Sequence, residues 1–229
     1  MVGTLNNRYS GCTTYAEYVR RFVADHASNP LCHPNTEGQW RRGYVDGSYS
    51  IPGNVRDRVG GETRYTLETW REIAASPDRI LQETEPWRKG VFRTLFLWSQ
   101  NPGVGKTGLG VALLRDLAER GEADGRIVRM PHLSLMSFAE QTALVRSLSS
   151  AGAVLLDDVH RFRFSTAAQA DLFHTLADML LMDKTRLVMT ANASFRTIQE
   201  TVGADSFAAF DRLRSGGLLE IAFEGDSLR

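Results

Sequence analysis

The chain has 229 residues and a mass of 25.5 kDa, which at ~100–200 residues per domain allows one domain, or one domain with an appendage. Lys+Arg and Asp+Glu both number 27, so the formal net charge is zero. That excludes a uniformly basic nucleic-acid binder but still allows a local basic patch. Hydrophobic residues at 42% and charged residues at 24% are typical of a soluble globular chain, and the only lysines are Lys89, Lys106 and Lys184.

Residues 1–64 stand apart from the rest through polar, turn-forming stretches such as SNPLCHPNTEG and VDGSYSIPGN. Within them Tyr15–His26 reads as a single amphipathic helix. Thr14 and Glu17 make a capping-box pair at its start. Tyr15, Tyr18, Val19, Phe22 and Val23 then recur at helical spacing as one apolar stripe, with Glu17, Arg20, Arg21 and Asp25 off it. The plainer reading of such a stripe is that it packs on its own domain; the functional one is that it docks a partner. Cys12 and Cys32 cannot form a disulfide framework or a four-cysteine zinc site. With His26 and His33 nearby they leave a Cys/His zinc cluster open, but at no standard finger spacing, and two reduced thiols are the simpler reading. The N-terminal stretch has no apolar signal-peptide core. No run of about 18 apolar residues predicts a membrane span. Both features favour the cytoplasm.

From Tyr65 to Arg229 strands and helices alternate, as expected of one α/β domain. Strands are predicted at Val91–Trp98, Arg126–Met130, Ala153–Asp158, Arg186–Asn192 and Leu218–Phe223. Helices are predicted at Thr107–Arg120, Leu133–Leu148, Ala167–Met182 and Phe207–Arg214. Alternation of this kind implies a parallel sheet covered by helices, with ligands bound at the carboxyl ends of the strands.

The first strand runs into SQNPGVGKTG. Its segment Pro102, Gly103, Val104, Gly105, Lys106, Thr107 and Gly108 carries the end of a Walker A loop, GxxxxGK[ST]. Glycines let consecutive backbone N–H groups turn inward on an anion, and the helix that follows points its positive end at the phosphates. Lys106 supplies a point charge for the β and γ phosphates, and the Thr107 hydroxyl a Mg²⁺ ligand. One position departs from the pattern: Gln100 stands where the first glycine falls, and Pro102 with Gly103 is expected to preserve the turn. Fifty residues on, AVLLDD delivers two carboxylates at the end of an apolar strand, as a Walker B element does. Asp157 is the metal-side carboxylate, and Asp158 the one that orients and polarises a water. VMTAN then places Asn192 just past another strand, where a neutral amide can bond both phosphate and water. His160–Phe164 (HRFRF) interleaves arginines with aromatics. It suits single-stranded DNA, or equally Phe162 and Phe164 in the core with Arg161 and Arg163 in solvent. Arg20–Arg21 and Arg41–Arg42 are further candidate DNA contacts.

Together NPGVGKT, LLDDV, TAN, FDRL and the terminal EGDSLR resemble the DnaC/IstB-like branch of the AAA+ ATPases, over about residues 51–229. IPGNVRD and YTLETW look like that family's lead-in to the ATPase core. The resemblance implies a P-loop AAA+ core, Mg²⁺-dependent hydrolysis of ATP and ATP-dependent self-association. It implies that Arg212 in FDRL is an arginine finger reaching a neighbouring subunit's nucleotide. It also implies that Arg229 in GDSLR is a second sensor arginine on the subunit's own nucleotide. Asp178 departs from the family, which often carries an arginine there. The family offers two partners, a replicative helicase loaded onto single-stranded DNA or a transposase assisted on DNA. A third reading is an assembly adaptor gated by ATP with little turnover. A helicase loader whose N-terminal region binds the helicase is the leading expectation.

Overall fold

A computed structural model describes residues 65–225 apart from 124, 134–135, 149–150, 163, 165–166 and 184, together with Glu17, Arg20, Arg21, Val59 and Gly60. The chain forms two compact units, Met1–Tyr49 and Ser50–Arg229. In the first, Glu17, Arg20 and Arg21 are helical, and Arg21 pairs with Glu17 one turn away at 3.3 Å. The apolar stripe of the predicted helix, the DNA-contact candidates Arg41 and Arg42, and Cys12, Cys32, His26 and His33 lie outside the described residues.

From Tyr65 on, the second unit begins with two helices that periodicity did not reveal, α1 (Leu67–Ile73) and α2 (Pro77–Arg88). Thr66 caps α1: its hydroxyl accepts the Thr69 N–H, and the Thr69 hydroxyl accepts the Thr66 N–H in return. Pro77 opens α2, where a missing N–H costs nothing. The sheet strands are β1 (Thr94–Trp98), β2 (Gly125–Arg129), β3 (Ala153–Asp157), β4 (Arg186–Ala191) and β5 (Leu218–Ala222). All their pairings are parallel and their spatial order is β2-β3-β4-β1-β5. The remaining helices are α3 (Lys106–Glu119), α4 (Met130–Leu133), α5 (Phe138–Leu148), α6 (Ala167–Met182), α7 (Phe195–Thr201) and α8 (Gly203–Ser215). None of the described helices is long and apolar enough to cross a membrane.

Several boundaries differ from expectation, each for a local reason. β1 begins at Thr94 rather than Val91, because the Val91 and Phe92 N–H groups close α2 onto the Pro86 carbonyl. The predicted helix Leu133–Leu148 is broken in two. Ser137 and Glu140 form a capping box that starts α5 afresh, since the Ser137 N–H donates to the Glu140 carboxylate at 2.8 Å. Helix α7 was unexpected; Ser194 starts it by accepting the Thr197 N–H. β3 stops one residue early because Asp158 turns into the left-handed region.

Two cores flank the sheet. On one face Phe96, Phe195, Phe210, Phe173, Phe164 and Phe162 touch in succession at centroid distances of 4.9–5.3 Å, joining β1 to α6, α7 and α8. Phe162 thus belongs to the core, whereas Phe164 packs on Phe162, Phe173 and Phe210 and remains partly exposed. On the other face α3 is buried along nearly its whole length. Gly110 lets it approach so closely that an added Cβ would lie 2.9 Å from Leu155 on β3.

Candidate functional site

All five strands point the same way, so their carboxyl ends form one edge, and the β1–α3, β3 and β4 exits meet there. Gly110 of α3 lies against both Leu155 and Val188. Side chains alternate along a strand, so Asp157 and Thr190, two residues further on, face α3 as well. The Thr107 hydroxyl donates to Asp157 Oδ1 at 2.7 Å, across an interval of 50 residues.

The β1–α3 loop takes the form an anion cradle needs. Gly103 and Gly105 have φ of 80° and 94°, where a Cβ is disfavoured. Gln100 needs no such freedom, because Asp158 is the only non-glycine with positive φ among the described residues. The departure from the glycine pattern therefore leaves the turn intact. Val104 is buried and Pro102 exposed. Lys106, only 6% exposed, donates from Nζ to the Asn101 carbonyl at 3.1 Å. Gly108 makes room for the Tyr65 ring, which an added Cβ would meet at 2.6 Å. Trp70 of α1, fully buried, donates from Nε1 to the Gly105 carbonyl at 2.9 Å and so braces the loop where α3 begins. On the far side of the loop, the Asn101 side-chain amide donates to the Gly225 carbonyl.

At the β3 exit Asp157 is buried and accepts a second hydroxyl, that of Thr190, at 2.7 Å on the same Oδ1. Asp158, in the left-handed region with φ of 59°, donates its N–H to Thr190 Oγ1 at 3.0 Å. Its carboxylate is partly exposed and pairs with Arg161 at 3.6 Å. Asn192, past β4, donates its backbone N–H to His160 Nδ1 at 3.2 Å. That bond requires the Nδ1 lone pair, so His160 is neutral there. Burial, the largest influence, lowers its pKa below the usual imidazole value, with Arg161 and Lys106 acting in the same sense and Asp158 and Asp157 against.

Thr190, His160 and Trp70 fall inside the motifs TAN, HRFRF and YTLETW, but none of them is assigned a role of its own from the sequence. Thr190 sits two residues before Asn192, on the face strand alternation assigns it. His160 follows the Asp pair directly. Nothing in the sequence pointed Trp70 at the loop, because that contact joins residues 35 apart.

Arg212 lies elsewhere. It pairs with Asp178 of α6, which also lies 3.5 Å from His174 Nδ1. It lines a shallow pocket with Arg93, Leu181, Ser215 and Gly216. Arg93 immediately precedes β1, whereas the glycine loop follows it. The five residues of β1, at ~3.3 Å each, therefore separate Arg212 from its own loop. Arg229 lies outside the described residues.

No group of three or more His, Cys, Asp or Glu side chains that could hold a metal occurs among the described residues. The oxygen donors Thr107 and Asp157 do suit a Mg²⁺ ion that completes its shell with phosphate and water.

No family model and no curated protein sequence matches the chain. Solved structures do. The DnaI structure aligns at a TM-score of 0.60 and 18% identity, over 78% of this chain and 94% of that one. The DnaC helicase loader aligns at 0.54 and 20%, over 69% and 96%. The replication initiator DnaA, bound to AMPPCP and single-stranded DNA, aligns at 0.52 and 18%, over 70% and 50%. At these identities the likeness is one of fold: a five-stranded parallel sheet flanked by helices.

Proposed function

We propose that this chain binds ATP with Mg²⁺, hydrolyses it, and uses the cycle to load a replicative helicase onto single-stranded DNA. The observation that carries this reading is the 2.7 Å contact between Thr107 and Asp157, made beside Lys106 where a two-glycine turn enters α3. Lys106 and the N–H groups at the start of α3 hold the phosphates. Thr107 and Asp157 hold the metal. When bound, Mg²⁺ would supply charge neutralisation of the phosphates. Asp158 orients the attacking water and takes its proton, and the Asn192 amide bonds the γ-phosphate and the same water. Arg212 lies too far from its own loop to act there, so it serves a neighbouring subunit in an ATP-dependent oligomer. Arg229 acts on the subunit's own nucleotide. Residues 1–64 carry the helicase contact. The AAA+ core comprises residues 65–229, and the protein works in the cytoplasm. The fold shared with a helicase loader, and with an initiator bound to nucleotide and single-stranded DNA, supports the replication setting.

Two variants test the chemistry. Lys106→Ala should lose ATP binding by calorimetry while its circular dichroism stays that of the wild type. Asp158→Asn should bind ATP and slow phosphate release by roughly 10²–10⁴, the usual contribution of a general base. Wild-type ATP affinity in Lys106→Ala removes the assignment of the loop. Wild-type turnover in Asp158→Asn removes the role of that carboxylate. Loading is scored separately, as ATP-dependent transfer of a replicative helicase onto circular single-stranded DNA. No transfer by an active ATPase refutes the loader role alone.

A further inference from the structure

The register between β3 and β4 ends with Leu156 opposite Met189. Two residues later β3 must give up its extended path, because Asp158 adopts φ of 59°. At that point the Thr190 side chain links the two strands. Its Oγ1 lies 2.7 Å from Asp157 Oδ1 and 3.0 Å from the Asp158 nitrogen. The proton assignment is unique. An ionised carboxylate can only accept and a backbone N–H can only donate, so the Thr190 hydroxyl gives its proton to Asp157 and its lone pair to Asp158. Thr190 is 0% exposed, and its bond to Asp157 is buried.

We propose that Thr190 is the positioning residue for both adjacent carboxylates: it sets the rotamer of Asp157 and locks the left-handed turn that aims Asp158. The inference rests on the reading of this site as an ATPase. Two hydroxyls, from Thr107 and Thr190, converge on Asp157 Oδ1. Thr107 is the one required elsewhere when Mg²⁺ is held, and Thr190 then remains as a donor that keeps Asp157 oriented. Its second bond holds Asp158 in a backbone region that side chains other than glycine, asparagine and aspartate rarely adopt. One hydroxyl thereby couples the metal carboxylate to the water-orienting carboxylate.

Thr190→Val and Thr190→Ser separate this role from packing. Valine keeps the branched shape that suits a buried strand and loses the hydroxyl; serine keeps the hydroxyl and loses the methyl group. Turnover in Thr190→Val should fall about ten- to hundredfold, as for a lost hydrogen bond to a charged group, with ATP affinity in EDTA unchanged. Thr190→Ser should return most of the turnover. Wild-type turnover in the valine variant, or a serine variant as slow as the valine one, overturns the inference. A direct measurement needs neither variant nor ATP. In the wild-type protein the Asp158 amide should exchange its hydrogen as slowly as those of the β3 interior, and exchange at the rate of an exposed turn overturns the inference. If the wild type neither binds nor hydrolyses ATP, the proposed function fails, and amide exchange at Asp158 alone then decides whether Thr190 locks the turn.

Discussion

Single hydrogen bonds organise the exits of β3 and β4, and His160 makes one of the most sensitive. It accepts the Asn192 N–H through Nδ1 and sits near Asp158, Asp157, Arg161 and Lys106. Its pKa is lowered below 6.5, chiefly by burial. The unfolded chain therefore takes up the proton first as pH falls. The stability tied to neutral His160 is complete above about pH 6.5, the unfolded value, and is lost progressively as pH drops below it toward the folded value. Protonation also removes the lone pair that Asn192 uses. His160→Gln carries no such charge, so the stability gap between wild type and variant should narrow as pH falls from neutral into the acid range. Urea midpoints measured across that range check this, and a constant or widening gap contradicts it.

At the scale of elements, the glycine loop is held from outside by α1. The Trp70 indole is fully buried, meets Phe223 edge-on at 6.2 Å and donates to the carbonyl that also accepts the first hydrogen bond of α3, from the Leu109 N–H. Trp70→Phe retains most of the apolar ring and removes the donor. It should lower stability by about 1 kcal/mol, the net worth of a typical hydrogen bond, and weaken ATP binding because the loop loses a support. Denaturation midpoints and calorimetry check both effects. An unchanged ATP affinity would show that the loop holds its shape without α1. The aromatic row from Phe96 to Phe162 does comparable work on the opposite face. It ties α6, α7 and α8 to β1, and so fixes where Arg212 on α8 stands.

At the scale of the whole molecule, the loop with Lys106 and the arginine at position 212 lie at opposite ends of β1. On the proposed reading, Arg212 therefore completes a neighbour's site rather than its own. Arg212→Ala should bind ATP almost normally and lose turnover, since arginine fingers contribute roughly 10³–10⁵ in rate. Lys106→Ala should lose its own site and keep a functional finger. Mixing the two should recover part of the activity each lacks, and wild-type activity per molecule should rise with protein concentration. No recovery at any ratio, with mixed oligomers demonstrated by crosslinking, would rule out action in trans.

What the sequence by itself determined is local. A parallel α/β domain was legible because strand and helix periodicities alternate without interruption from β1 to β5. The glycine loop, Lys106, Thr107 and the Asp157–Asp158 pair stood out because phosphate and metal chemistry would demand those residue types at those strand ends, and the structure adds the contact of Thr107 with Asp157. Short capped helices were not: α1 and α7 span only two turns each, too few for periodicity to show, and α5 is separated from α4 by a single cap at Ser137. Only the tertiary structure decided which residues from distant segments share a hydrogen bond. The insertion of β4 between β1 and β3 puts Thr190 beside Asp157, 33 residues away in sequence. The packing of α1 on α3 brings Trp70 to the loop, and the aromatic row buries Phe162 against Phe164 and Phe173. Strand order and helix docking arise from burying apolar faces against one another over the whole domain, and no short stretch of sequence carries that information.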